Sequence, residues 1–377
     1  MTPAALLRVA AGLALALWLA AGMAAAADLR VAAYSSGLAR KGPGLLLADI
    51  AGGKDPQVAA VVEVIAATRP DILLLLDFDY DMDLLAMRAL ADRLRARDLD
   101  YPHLFALKPN TGMRSGLDLD GDGRRGGPRD AQGFGYFPGQ GGMALFSRYP
   151  VEAGRVREFS DLLWRDLPGA TLPVVDGQPF PSTEVQAVQR LSTTGHWDVP
   201  VRVGGTVLHL FAFHATPPVF DGAEDRNGLR NRDELRLWTL YLDGALPGAP
   251  PPDAPFVVLG DANLDPHDGD GRSEAMRAFL ADPRLTDPMP RSEGALRAAA
   301  VQGGVNATHR GDPALDTADW DDTPPDGPGN LRVDYVLPSA DLTVTGAGVF
   351  WPAEGPMAGT VAAASRHRLV WVDLRLP

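Results

Sequence analysis

Cysteine is absent from all 377 residues. No disulfide framework can form, and no lipid-bearing cysteine can follow a leader peptide. Stability must come from a packed core and from any bound metal. Positive charge is also short: 35 Lys and Arg face 48 Asp and Glu, for a formal net charge of −13. A negative surface repels nucleic-acid phosphate at long range. That argues against a general DNA-coating role, leaves room for a local basic groove, and suits a protein that gathers divalent cations. No internal repeat and no clean linker is evident. What is present in quantity is apolar: 46% of the chain is hydrophobic, enough for a sizeable core. The length fits one large or two ordinary domains, and without a linker the chain reads as one domain after its leader.

That leader is the first stretch with a clear pattern. Arg8 gives a weak positive region, Val9 to Met23 is apolar, and Ala24 to Ala27 is a small-residue cleavage site. Residues 1–27 read as a secretory signal peptide, cleaved between Ala27 and Asp28. A retained anchor would need a longer apolar core. Residues 28–377 are then the functional domain, in a periplasmic or secreted protein expected to be a monomer without stable membrane association. The leader carries one Arg and no acid, so its removal makes the chain one unit more negative.

Patterns of period 2 and 3.6 place the elements. Leu29–Tyr34, Ile72–Leu76 and Met143–Ser147 read as strands, with a helix over Pro56–Thr68 between the first two. A Gly-rich loop is expected up to Gly53, a second helix over Leu84–Leu99, and a long loop over 102–142. Glu184–Ser192, Trp197–Val203 and Thr206–Phe213 read as three more strands, the last two joined by a Gly204-Gly205 turn. Helices are expected over Leu229–Leu242 and over Ser273–Leu280, the latter capped by Ser273. Residues 311–330, rich in Asp, Pro and Gly, read as an exposed loop. Strands follow over Arg332–Leu337, Leu342–Phe350 and Leu369–Leu374. The strand–helix–strand start points to a layered α/β arrangement.

The stretch Phe256-Val257-Val258-Leu259-Gly260-Asp261-Ala262-Asn263 is the centre of interest. Its four apolar residues read as a strand buried on both faces. Asp261 and Asn263, two residues apart, can point into one site. An Asp supplies a base or a hard metal ligand, and an Asn supplies an amide donor. The same residues are also good turn chemistry. Asp118, Asp120 and Asp122, at alternate positions in the long loop, could hold Ca²⁺ through oxygen ligands. The closing Glu and flanking helices of an EF-hand are missing there, and a solvated acidic turn is the alternative. His196 reads as structural, and Trp238 and Trp371 as core.

Polar residues thus close the strands in series: Ser35, Asp77, His214, Asp261 with Asn263, Asp334 and His367. Three segments resemble motifs of the endonuclease/exonuclease/phosphatase superfamily, the deoxyribonuclease I-like proteins. Gly260-Asp261-Ala262-Asn263 is similar to its Gly-Asp-x-Asn motif. Arg332-Val333-Asp334-Tyr335-Val336 is similar to its Asp-Tyr strand, and Ser365-Arg366-His367 to its Ser-Asp-His ending. The resemblance covers about 28–377. It implies an α+β fold, a four-layer α/β/β/α sandwich with two packed β-sheets flanked by helices. It also implies hydrolysis of phosphodiester or phosphomonoester bonds by an activated water, with Mg²⁺ or Mn²⁺ as cofactor. The partner it implies is a phosphate-ester substrate, nucleic acid included.

Carried over by residue, Asp261 would align or deprotonate the water and Asn263 would bind a non-bridging oxygen. His214 would donate to the leaving or a non-bridging oxygen. His367, held by Asp334, would act as base or phosphate contact. Asp77 and Ser35 stand where the family has a metal-binding Glu and an Asn. Arg366 replaces the acid of Ser-Asp-His, a two-unit change of local charge. One added charge at ~5 Å, with an effective dielectric of ~20, shifts a neighbour by roughly 3 kcal/mol. Arg366 would then displace one metal or clamp phosphate, whose geometry a guanidinium matches. These replacements leave a second reading: a non-catalytic relative that binds a phosphorylated ligand or partner.

Overall fold

Apolar residues alternate faces along the central strands, and this alternation builds the layers. The computed structural model describes residues 28–376; the expected signal peptide lies outside them. The strands in chain order are β1 (Leu29–Ser35), β2 (Ile72–Phe78), β3 (His103–Phe105), β4 (Gly142–Ser147), β5 (Arg157–Glu158), β6 (Val174–Val175), β7 (Gln178–Pro179) and β8 (Gly195–Val203). There follow β9 (Thr206–His214), β10 (Phe256–Asp261), β11 (Ala318–Asp319), β12 (Asn330–Leu331), β13 (Asp334–Pro338), β14 (Thr343–Phe350) and β15 (Leu369–Arg375). One sheet has the order β14-β15-β1-β2-β4-β3 and the other β13-β10-β9-β8-β5.

In β2, Ile72, Leu74 and Leu76 face the second sheet, whereas Leu73 and Leu75 face helices. In β10, Val257 and Leu259 join the layer between the sheets, and Phe256 and Val258 face the opposite side. Helices Leu45–Gly52, Pro56–Thr68, Leu85–Arg95 and Pro356–Ala364 cover the six-stranded sheet. Helices Arg226–Leu242 and Ser273–Leu280 cover the five-stranded one. The result is the expected α/β/β/α sandwich. Among the described residues, no helix is long and apolar enough to cross a membrane.

Several local expectations are corrected. The segment expected as a strand over Glu184–Ser192 begins instead as a one-turn helix, Thr183–Gln186, capped by the Ser182 hydroxyl. Its later carbonyls are taken by the buried Arg230 guanidinium, which donates to Arg190, Leu191 and Ser192. The Gly-rich loop contains helix Leu45–Gly52, bounded by Gly44 and Gly53 in left-handed conformations. Ser273 is the first residue of its helix, not the cap, a position held by Arg272. Helices Glu293–Gln302 and Pro356–Ala364 were not expected.

Candidate active site

The candidate site forms where the inter-sheet columns of apolar side chains end in polar ones. Val257 and Leu259 continue into Asp261, Leu210 and Ala212 into His214, Val31 and Ala33 into Ser35, and Val336 sits two residues after Asp334. The period of two dictates the side. Register then brings the ends together. Asp261 pairs with His214 of the parallel β9 and with Asp334 of the antiparallel β13. Ser35 faces them from the other sheet. Gly260 permits the close approach. Its φ is 150°, and a Cβ there would lie 1.9 Å from the Phe213 carbonyl oxygen.

Asp334 is fully buried and clamped through both oxygens. Its Oδ1 accepts the Ser35 hydroxyl at 2.9 Å, and its Oδ2 faces His367 Nδ1 at 2.8 Å. Ser35 Oγ also lies 3.3 Å from Asp261 Oδ2. His214 Nε2 and His367 Nδ1 approach that same Asp261 oxygen at 3.6 and 3.8 Å. Burial, and then the Asp334 carboxylate, push the Asp261 carboxyl up to about 7. Burial would lower the His367 pKa, but Asp334 and Asp261 outweigh it and raise it to about 9. Facing a carboxylate oxygen, His367 Nδ1 is placed to donate its N–H to Asp334.

Asn263 forms a turn and lines the cleft. It has a left-handed φ of 48°, its N–H donates to Asp261 Oδ1 at 2.7 Å, and its amide donates to the Ala215 carbonyl at 2.9 Å. Asp77 reaches the cleft through a β-bulge between Leu76 and Phe78, where its φ is 53°. Strict alternation would have sent it toward the helices; the bulge turns it and returns Phe78 to that core. Arg366 is exposed at the cleft wall. Asp77, His214, Asp261, Asn263, Arg366 and His367 thus line one cleft of ≈ 830 Å³. Ligand atoms of the cleft residues Asp261 and His367 and of the buried Asp334 behind them lie within 4.8 Å of one another. Asp77 faces the same space, and Ser35 serves the two carboxylates as a hydroxyl donor.

This geometry can be set beside known proteins. The model of the Endonuclease/Exonuclease/phosphatase family matches residues 48–367. The chain belongs to that family. Its members are hydrolases of phosphate-ester bonds. Among solved structures, the endonuclease/exonuclease/phosphatase from Beutenbergia cavernae DSM 12333 is similar at 20% identity and a TM-score of 0.53, covering 93% of this chain and 72% of its own. A family protein from Leptotrichia buccalis C-1013-b is similar at 12% identity and a TM-score of 0.50, covering 92% and 100%. At such identities the likeness concerns the fold. No curated protein matches the chain.

The family frame leaves some residues unexplained. His196 is fully buried: its Nδ1 meets the Ser192 hydroxyl at 2.7 Å, its Nε2 meets the Glu234 carbonyl at 3.0 Å, and burial drives its pKa down to about 3. It is structural, as expected. Trp238 is buried and stacks on Phe211 at 5.0 Å, and the partly buried Trp371 lies under the Arg30 guanidinium. In the long loop, Asp118 and Asp120 group with Asp130 rather than Asp122, whose carboxylate turns onto the Arg124 N–H. Asp118 already accepts backbone N–H groups from Gly121, Asp122 and Gly123. Ligand atoms of Asp118, Asp120 and Asp130 lie within 4.8 Å of one another, so this acidic turn could hold a cation through Asp130 in place of Asp122.

Sequence reasoning missed two residues, Thr317 and Trp320. The first binds Asp334 Oδ2 at 2.9 Å, and the second sets its ring edge-on to His367 at 5.2 Å. Both lie in the segment expected as an exposed loop. Their only signal was a Thr and a Trp among Asp, Pro and Gly.

Proposed function

We propose that the protein is an exported, metal-dependent phosphoesterase acting through an activated water. The observation that carries this is the convergence of Asp261, Asp334 and His367 within 4.8 Å, with Asp261 and His367 lining a cleft that His214, Asn263 and Arg366 also line. The donor set fits a divalent cation of the Mg²⁺ or Mn²⁺ type. Two carboxylates meet at one point, and hard oxygen ligands suit such ions. Asp261 and Asp334 would hold it, with Asp77 as a further oxygen donor from the facing sheet. When bound, it would neutralise charge developing on the phosphoryl oxygens.

The chain's own residues then divide the work. Asp261 aligns the attacking water and accepts its proton. His367 is locked through Nδ1 and presents Nε2–H to a non-bridging oxygen. Asn263 and the Arg366 guanidinium hold further phosphate oxygens. His214 donates to the leaving oxygen. One P–O bond forms to water and the ester P–O bond breaks; a proton passes to Asp261, and another reaches the departing alcohol. Phe134, Phe220 and Trp320 also line the cleft, which supports an ester with a sizeable organic group over free pyrophosphate. The apolar leader between Arg8 and Ala27 supports export.

The test is a substrate panel: bis(p-nitrophenyl) phosphate, p-nitrophenyl phosphate, DNA and RNA, each with Mg²⁺, Mn²⁺ or Ca²⁺. Turnover should appear, vanish with EDTA, and fall by about 10³-fold or more in Asp261→Ala. Full activity in that variant would defeat the assignment. Binding of phosphate esters without turnover would move the protein to the non-catalytic reading.

A further inference from the structure

Thr317 is fully buried and joins the Asp/Pro/Gly-rich segment to Asp334. A hydroxyl has one proton to give and two lone pairs to accept with. Both acceptor places on Thr317 Oγ1 are taken, by the N–H groups of Val333 and Asp334, each at 3.0 Å. Its proton has one acceptor left, Asp334 Oδ2 at 2.9 Å. The rotor is thus fixed by its surroundings. With Ser35 on Oδ1 and with Thr317 and His367 on Oδ2, the carboxylate cannot turn without breaking these hydrogen bonds.

The backbone around Thr317 is tied to the same place. Its N–H donates to the Leu331 carbonyl at 2.9 Å, and its carbonyl accepts the Arg368 N–H at 2.7 Å. Asp319 N–H donates to the Arg366 carbonyl at 2.9 Å, and Ala318 bridges to His367. Segment 317–319 therefore runs beside 366–368 as a short extra strand. Trp320, at its end, meets the His367 ring edge-on, with planes at 89°.

We infer that Thr317 is the positioning residue of the Asp334–His367 pair, and that seating of segment 317–320 aims the imidazole into the cleft. The inference rests on the phosphoesterase reading, because it assigns His367 a partner in that reaction. Thr317 touches no substrate atom. It acts by holding the carboxylate that holds the histidine, and outer partners of this kind are worth about 10–100-fold in activity.

The experiment compares Thr317→Val, which keeps the shape and removes the hydroxyl, with Thr317→Ser, which keeps the hydroxyl. Two readouts are taken on the full chain: kcat and KM for bis(p-nitrophenyl) phosphate with Mn²⁺, and the far-downfield proton NMR signal of the His367 Nδ1–H, assigned by its loss in His367→Ala. The Val variant is expected to lose kcat by about 10–100-fold, with KM within about twofold, and to lose or broaden the downfield signal. The Ser variant is expected to keep both. A folded Val variant with wild-type kcat and an unchanged signal would overturn the proposal. Should the Val variant not fold, the Ser variant decides alone: a folded Ser variant without the downfield signal overturns it. If the wild type turns over no phosphate ester, the phosphoesterase reading fails, while the NMR comparison still judges the Thr317 hydroxyl.

Discussion

Asp261 and Asp334 are two buried acids joined by one Ser35 hydroxyl, and most of the site's chemistry comes from that crowding. Like charges in a dry place cannot all be held ionised, so Asp261 is pushed toward 7 while the same pair pulls His367 up to about 9. A second case lies outside the site. Asp316 is buried, and burial followed by Asp265, Asp268 and Asp312 raises its carboxyl to about 8. Unfolded, it would titrate near the usual ~3.9. Between those two values the folded chain keeps a proton that the unfolded chain releases. Stability from this group is therefore present at low pH and lost as pH rises through about 8. Asp316→Asn should match the wild type in thermal unfolding at pH 4 and exceed it at pH 8 by about 1–3 kcal/mol. Equal midpoints at pH 8 would show that this carboxyl carries no such burden.

The strands show why the site residues were legible and why their support was not. An apolar run followed by Gly260-Asp261-Ala262-Asn263 reads directly, because period-two burial is written in adjacent residues. The same holds for Asp334 and for His367 before β15. Asp77 was found from its place after Leu76, yet its direction depends on a bulge that alternation cannot forecast. Thr317 was illegible because its role comes from long-range pairing with Leu331 and Arg368, not from its neighbours. The missed helix after Ser292 did carry a sign, since the Ser292 hydroxyl caps it through the Ala295 N–H. At this scale Gly260 is the critical small residue. Any side chain there meets the Phe213 carbonyl, so β9 and β10 would separate and the His214–Asp261 register would slip. Gly260→Ala should cost about 3 kcal/mol or more and abolish activity; a chemical-denaturation midpoint equal to the wild type would refute this.

Across the whole molecule, the two sheets act as one device. Asp77 of one sheet and His214 and Asp261 of the other line the cleft, and Ser35 bonds the buried Asp334 across the sheets, so the site exists only when the sandwich is closed. The net charge of −13 suits the proposed activity, because a negative chain draws in cations while Arg366, at the cleft wall, would offer a local positive contact to an anionic ester. The proposed activity requires one meeting point for a cation and a phosphate. Crystals soaked with Mn²⁺ and inorganic phosphate test it most directly by anomalous diffraction. The expected result is a manganese peak bound by Asp261 and Asp334, with phosphate oxygens reaching Asn263, His367 and Arg366. A manganese peak elsewhere in the molecule, with none between these two carboxylates, would contradict it.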